Sequence, residues 1–467
     1  MNPRKGISGA LKSKFKSVSS ANKTILYNIA GSFGVRGVAL VVSLFTMPVY
    51  THFFVQQESL GIWYTLLAVL NWVLTFDLGL GNGLRNKLPI AIAQKDKRAM
   101  KEYISSTYFG TIGVVLIVGI VGVLIIPKLS WTSIINVKSQ SISNDVLVEC
   151  VYILFVGILL QFIFKIITSI LFAIQRSAFV NLLSLITSIL TLLMIFFARS
   201  GSSADNLLTM SIINVLAANI PYLVATILVF RRSLKGYFPR VSLVTSTRVK
   251  EVLNIGITLL ILQLVFMIIS STNELLISHL TNPADVVQYQ AYNKIFNTVS
   301  SLFTLALTPI WSAVTKAAGE KRYSWIKKLN RILLFASAVV FLAEIVLVPF
   351  LQGIIDLWLG KNYITVVPMV ALLFVLFNVL SFIHNVNTSF GNGMSFFKVQ
   401  IVWMIFAAIV DVPFAIMFVH FFHSWIGVVF ANFVALLPFE VIEIVAFNSY
   451  LTKLSLSAGD LERTRNQ

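Results

Sequence analysis

The run YISSTYFGTIGVVLIVGIVGVLIIP, Tyr103 to Pro127, holds 25 residues and not one charge. At about 1.5 Å of rise per residue a helix of this length crosses the ~30 Å hydrocarbon core of a bilayer, and it lacks the charged face of a helix on a soluble domain. Eleven further stretches read the same way: 24–50, 59–83, 147–173, 178–198, 207–230, 252–279, 285–315, 332–351, 364–388, 399–419 and 425–449. Twelve spans occupy most of the 467 residues, and the longest connectors run to about twenty, which leaves no room for a soluble domain. Composition agrees. With 57% hydrophobic residues, 12% charged residues and a mean hydropathy of +0.87, a water-soluble globular protein is excluded. The single cysteine, Cys150, excludes an intramolecular disulfide and a cysteine-based metal site.

The formal charge of +18, from 36 Lys and Arg against 18 Asp and Glu, is distributed unevenly. Segments 1–23, 84–102, 174–177, 231–251, 316–331, 389–398 and 450–467 hold 29 of the basic residues, and the alternate loops hold four, Lys128, Lys138, Arg199 and Lys361. Basic residues are retained on the cytoplasmic side, so both termini are expected there. The basic excess is thus a topology signal and no sign of nucleic-acid binding. Within 1–23, Ile7, Leu11, Phe15 and Val18 recur at helical spacing among lysines, which suits either an amphipathic helix on anionic lipid or a solvated basic tail.

The halves overlay at an offset of about 227: Phe76, Leu78 and Leu80 match Phe303, Leu305 and Leu307, and Asn28-Ile29 matches Asn254-Ile255 one residue out of register. Six spans per half return the chain to its starting side, as a parallel repeat requires. The expected fold is an all-α polytopic membrane protein of about twelve transmembrane helices in two six-helix bundles related by a parallel pseudo-twofold. Its lobes are 24–230 and 252–449, joined by a cytoplasmic linker at 231–251 and followed by a cytoplasmic tail at 450–467.

Nine ionisable residues fall inside the spans: Arg36, Asp77, Lys165, Glu274, Lys294, Glu344, Asp411, Glu440 and Glu443. Each costs about 2.5–3.5 kcal/mol at mid-bilayer unless it finds a partner, water or a function. Several join polar stripes at helical spacing: Asn28, Ser32 and Arg36; Gln161, Lys165 and Thr168; Gln263, Ser270 and Glu274; Gln290, Asn293, Lys294, Asn297 and Ser301. In the tenth span, Asn378, Ser381, His384 or Asn385, and Thr388 form another. These stripes predict a hydrated interior between the halves. Arg36 and Lys294 fall near the midplane, and Glu274 is close enough to pair with Lys294. For each basic residue the alternatives are substrate binding and a structural ion pair or snorkelling anchor. Asp77, Glu274, Glu344 and Asp411 either couple transport to an ion or pair structurally, and Glu440 with Glu443 is read as packing.

No phosphate-binding G-x-x-x-x-G-K-[ST] loop, H-E-x-x-H or G-x-S-x-G motif occurs, which argues against an ATP-driven pump and against an enzyme. His384, His420 and His423 are too scattered to argue for a metal, and no cofactor is expected. The segment Thr75-Phe-Asp-Leu-Gly-Leu-Gly-Asn-Gly-Leu-Arg-Asn-Lys87 resembles the corresponding stretch of bacterial polysaccharide transporters of the O-antigen flippase (Wzx) type, in the multidrug/oligosaccharidyl-lipid/polysaccharide exporter superfamily. That resemblance implies a protein of the bacterial inner membrane that translocates an undecaprenyl-pyrophosphate-linked oligosaccharide from the cytoplasmic to the periplasmic leaflet by alternating access, with membrane lipids and the glycan polymerisation machinery as partners. Arg36, Lys165 and Lys294 would meet the pyrophosphate, and Asn28, Gln290, Asn293 and Asn297 the sugar. Gly79, Gly81 and Gly83 suit close helix approach or a bent exit from the membrane, with Arg85 and Lys87 at lipid phosphates. The alternatives are a multidrug or cation antiporter of the same superfamily and a membrane glycan polymerase or ligase.

Overall fold

A computed structural model describes residues 34–465 apart from 36, 76–78, 139–141, 175, 255–263, 265, 266, 268, 270, 395 and 397. The first half contains α1 (Gly37–Phe53), α2 (Gln57–Thr75), α3 (Leu80–Ala93), α4 (Lys97–Ile125), the short α5 (Trp131–Ile135), α6 (Asn144–Ala173), α7 (Ser177–Phe197) and α8 (Ser203–Arg232). After α9 (246–254), the second half contains α10 (Asn273–Leu280), α11 (Pro283–Gly319), α12 (Tyr323–Leu347), α13 (Leu351–Leu359), α14 (Pro368–Met394), α15 (Lys398–Phe422) and α16 (Ile426–Arg465). Among the described residues, eight helices are long and apolar enough to cross a membrane: α4, α6, α7, α8, α12 with its continuation into α13, α14, α15 and α16. The chain is a multi-pass membrane protein.

Along α4 burial is inverted relative to a soluble protein: Leu116, Ile117 and Ile120 are exposed while Ser105, Ser106, Thr107 and Thr111 are buried. Lipid solvates the apolar face at no cost, and small hydroxyl residues let helices approach. Starts are fixed by local chemistry: Asp96 accepts from the amides of Arg98 and Ala99 at the head of α4, and Ser202 and Asp205 form a capping box at the head of α8.

The repeat is visible in backbone detail. Lys95 and Lys321, 226 residues apart, both adopt left-handed conformations. In each case the following amide closes a wide turn, Asp96 onto the Ala91 carbonyl and Arg322 onto that of Ala317, before the next helix begins. α4 and α12 then end alike, in 3-10 turns built on Pro127 and Pro349 that lead into α5 and α13.

Some boundaries differ from expectation. The span placed at 59–83 is not one uninterrupted helix: α2 is described as far as Thr75, and α3 starts after Gly79, whose φ is +64°, a left-handed conformation that glycine adopts without strain. α16 continues to Arg465, well past the expected end at 449, because a helix satisfies its own backbone hydrogen bonds on either side of the membrane surface. The basic segment 1–23 lies outside the described residues.

The two lobes share one apolar core at the end opposite the basic loops, where Phe54, Trp63 and Leu147 of the first lobe cluster with Val286, Tyr292 and Leu351 of the second. Toward the basic end the core divides, with Leu84, Ile167 and Val229 in one lobe and Val314, Phe390 and Leu451 in the other. Polar contacts between lobes reinforce the shared end: Asn136 Nδ2 donates to the Thr281 carbonyl (2.7 Å), Ser278 Oγ to that of Ile135 (2.6 Å), and Trp358 Nε1 to that of Leu44 (2.9 Å). The connector 233–251 is strapped to the first lobe, with Ser105 Oγ capping the Arg240 amide and Ser106 Oγ capping that of Thr245.

Candidate transport cavity

Where the shared core gives way, a cavity of about 650 Å³ lies between α1 and α7 of the first lobe and α10, α11, α14, α15 and α16 of the second. Its polar wall comes from periodicity. Asn293, Asn297 and Ser301 recur every four residues and place one face of α11 on the cavity. Asn378, Ser381 and Asn385, spaced by three and then four residues, place one face of α14 there, and Ser43, Ser184 and Ser188 face them from α1 and α7. Phe296, Phe374 and Phe377 supply an aromatic portion of the wall. Among the described lining residues there is no acid and no lysine or arginine; the surface combines amide, hydroxyl, imidazole and aromatic groups with the aliphatic side chains of Ala39, Leu40, Ile269, Met404 and Leu436.

Behind this wall the second lobe buries five carboxylates, and four share one arrangement. Glu274 accepts from Gln290 Nε2 (2.7 Å), Glu344 from Asn378 Nδ2 (2.6 Å), Asp411 from Asn432 Nδ2 (2.8 Å), and Glu443 from Gln400 Nε2. In each the second carboxylate oxygen is buried without a hydrogen-bond donor among the described residues. An amide holds a carboxylate in place but supplies no countercharge, so each acid keeps a position at which a cation or a proton is favoured. Asn432 also accepts from Asn273 (2.8 Å), which donates to Tyr289 Oη (3.1 Å), so Asp411 connects to the cavity wall through two amides.

Asn293 and Asn297 line the cavity as the spacing predicts. Gln290 does not: its amide is committed to Glu274. The anticipated pair of Glu274 with Lys294 is replaced by that bond, because Gln290 lies a turn nearer the α10–α11 connection. Lys294 is half-buried outside the lining, and no carboxylate forms an ion pair with it among the described residues. Lys165 is exposed on α6, also outside the lining. Asn28, Arg36 and Asp77 lie outside the described residues. The spacing did not single out Ser184 and Ser188, which sit four residues apart in a span that also carries Asn181, Thr187 and Thr191. Asn432, Asn387 and Gln400, polar residues in or next to the last three spans, were also missed.

No family model and no curated protein sequence matches the chain. Solved structures do match. A multidrug resistance MATE family transporter of the MOP superfamily, in its inward-facing conformation, superposes with a TM-score of 0.73 at 16% identity, over 88% of this chain and 96% of that one. The lipid II flippase MurJ, in an inward closed conformation, also gives 0.73, at 14% identity over 91% and 90% of the two chains. An outward-facing MATE transporter of the same superfamily gives 0.63 at 14% identity, over 92% and 96%. The chain therefore has the two-bundle fold of these proteins.

Proposed function

We propose that the protein is a flippase that moves an undecaprenyl-pyrophosphate-linked oligosaccharide, of the kind polymerised into O-antigen or a similar surface polysaccharide, from the cytoplasmic to the periplasmic leaflet. The observation that carries the reading is the cavity between the lobes, whose amides, hydroxyls and aromatic rings suit a sugar and whose described lining residues include no acid. A pyrophosphate needs cations in a low-dielectric setting, and Arg36 and Lys294 are the candidates nearest the midplane, with Lys165 a third. The fold likeness to both a multidrug transporter and a lipid II flippase is compatible with such a cargo and does not select it.

With the basic end taken as cytoplasmic, lobes that share a core at the other end form an inward-facing state. Transport then proceeds by rocking the lobes until the shared core parts and the basic ends meet. The polyprenyl tail stays in lipid while the headgroup occupies the cavity. The amide-held acids Glu274, Glu344 and Asp411, with Asp77, provide the ion coupling. The amino-terminal segment and the tail are cytoplasmic, and the glycan polymerisation machinery receives the product.

Two measurements test this. Cells lacking the protein accumulate a lipid-linked oligosaccharide on the inner leaflet, identified by mass spectrometry and by its inaccessibility to external lectin. Arg36→Ala and Lys294→Ala each abolish surface glycan at an unchanged level of protein in the membrane. Normal glycan in both variants overturns the assignment, and unpolymerised single repeats already on the outer leaflet of the deletion strain point to a polymerase or ligase instead.

A further inference from the structure

Three side chains on α14 and α16 remain outside this account. One ring nitrogen of His384 and one oxygen each of Glu440 and Glu443 lie within 4.8 Å of one another. His384 lines the cavity, and the two glutamates are each 1% exposed.

Each of the three is fixed from behind. Thr388 Oγ1 lies 3.3 Å from His384 Nε2, Asn387 Nδ2 donates to Glu440 Oε2 (3.3 Å), and Gln400 Nε2 donates to Glu443 Oε1. Gln400 fits there because residue 391 is glycine: a Cβ at Gly391 would lie 2.5 Å from its Nε2. At the centre His384 Nδ1 and Glu440 Oε1 are hydrogen-bonded to each other at 3.0 Å, and Glu443 Oε2 is buried with no donor among the described residues. Ligands oriented by outer hydrogen bonds, with their remaining atoms converging, are how a metal site is built.

Charge identifies the ion. Among the described residues the one basic side chain paired with these carboxylates is His384 itself. With a neutral imidazole the cluster carries two negative charges, and protonating the ring still leaves one, in a place where an uncompensated charge costs several kcal/mol. A doubly charged cation with neutral imidazole brings the sum to zero. An imidazole nitrogen with two carboxylates suits zinc or manganese, whereas sodium, magnesium and calcium favour oxygen alone. We propose that His384, Glu440 and Glu443 bind one divalent transition-metal ion of the zinc or manganese class, which ties α14 to α16 at the cavity wall. The site stands independently of what the cavity carries.

The test uses the full chain, purified in detergent without a polyhistidine tag, in a His420→Ala/His423→Ala background. That background removes a second imidazole pair, whose rings lie 5.9 Å apart. Mn²⁺ is titrated and the free ion followed by electron paramagnetic resonance. The expected result is one Mn²⁺ per chain, displaced by Zn²⁺, with affinity at least about tenfold lower in Glu443→Gln. Nitrogen coupling appears in the pulsed spectrum and is lost in His384→Gln. Absence of binding, or Glu443→Gln binding as tightly as its parent, overturns the site and leaves the charge to protons. Should Glu443→Gln fail to purify as a monodisperse protein, nitrogen coupling in the parent decides: its presence supports the site and its absence overturns it.

Discussion

The backbone of Pro283 passes so close to Gly61 that a Cβ on Gly61 would lie 1.7 Å from the Pro283 carbonyl oxygen. Gly61 is in the second turn of α2 and Pro283 opens α11, so this approach helps to fasten the lobes at their shared end.

Any side chain at position 61 wedges that contact apart. Overpacking of this kind costs about 1–3 kcal/mol, enough to move a two-state equilibrium roughly five- to 150-fold. Gly61→Val is therefore expected to favour the arrangement in which the basic ends approach. Spin labels on Lys95→Cys and Lys321→Cys, equivalent turns of the two lobes, with Cys150 replaced by serine, would report a shorter distance than in the glycine protein. An unchanged distribution would mean that the lobes are held elsewhere.

Asn378 makes three buried contacts: it donates to Glu344 Oε1 (2.6 Å) and to the Phe296 carbonyl (3.0 Å), and accepts from Ser300 Oγ (2.5 Å). Truncation to alanine leaves Glu344 with no side-chain donor among the described residues, at about 1–3 kcal/mol for each buried group stranded. Asn378→Asp is expected to be worse, since it sets a second carboxylate against Glu344. Pairing it with Glu344→Gln restores one amide and one acid. Recovery of thermal stability in that double variant would establish the pairing, and additive losses would refute it.

These pairs mark where the sequence stops being legible. The polar stripe of α11 was readable because Asn293, Asn297 and Ser301 repeat at the period of their own helix. The partners of the buried acids were not, because each sits on another helix, 16 to 43 residues away, and nothing in local periodicity says which amide will face which carboxylate. The repeat was read from weak phenylalanine and leucine matches, while its firmer signs, Lys95 with Lys321 and Pro127 with Pro349, lie in turns whose conformation the residue types alone do not announce. Lys294 stands beside the lining for a geometric reason that its place in the stripe does not reveal: about 100° of helix rotation separates it from Asn293, which takes the lining position.

The strap between the lobes has a pH signature. Glu251 accepts from the Tyr103 hydroxyl and from Arg248, and Lys87 Nζ lies 3.9 Å away. The Tyr103 hydrogen bond, against a smaller opposing effect of partial burial, and then the two cations hold its carboxyl below the ordinary glutamate value. A carboxyl whose folded value is depressed contributes stability above its unfolded value, ~4.3, and loses it as the pH falls through the folded one. Glu251→Gln should thus lower the thermal transition at pH 7, by no more than about 1 kcal/mol because solvent screens the site, and the difference should vanish in acid. A difference that widens on acidification would contradict the assignment.

Cargo charge is the property that separates the flippase from a cation antiporter, and Asn297 is placed to read it. The residue is exposed within the cavity, so Asn297→Asp adds a negative charge without stranding a buried group. At a separation of ~8 Å and an effective dielectric constant of ~20, that charge repels a unit anion by about 2 kcal/mol, or roughly thirtyfold in binding. For a pyrophosphate-linked oligosaccharide the variant should lose surface glycan while Asn297→Gln retains it, at equal amounts of protein in the membrane. A cationic cargo responds in the opposite sense. Faster uptake of a fluorescent cation by proteoliposomes of Asn297→Asp, with glycan export intact, would therefore reverse the functional reading and leave the fold as it is.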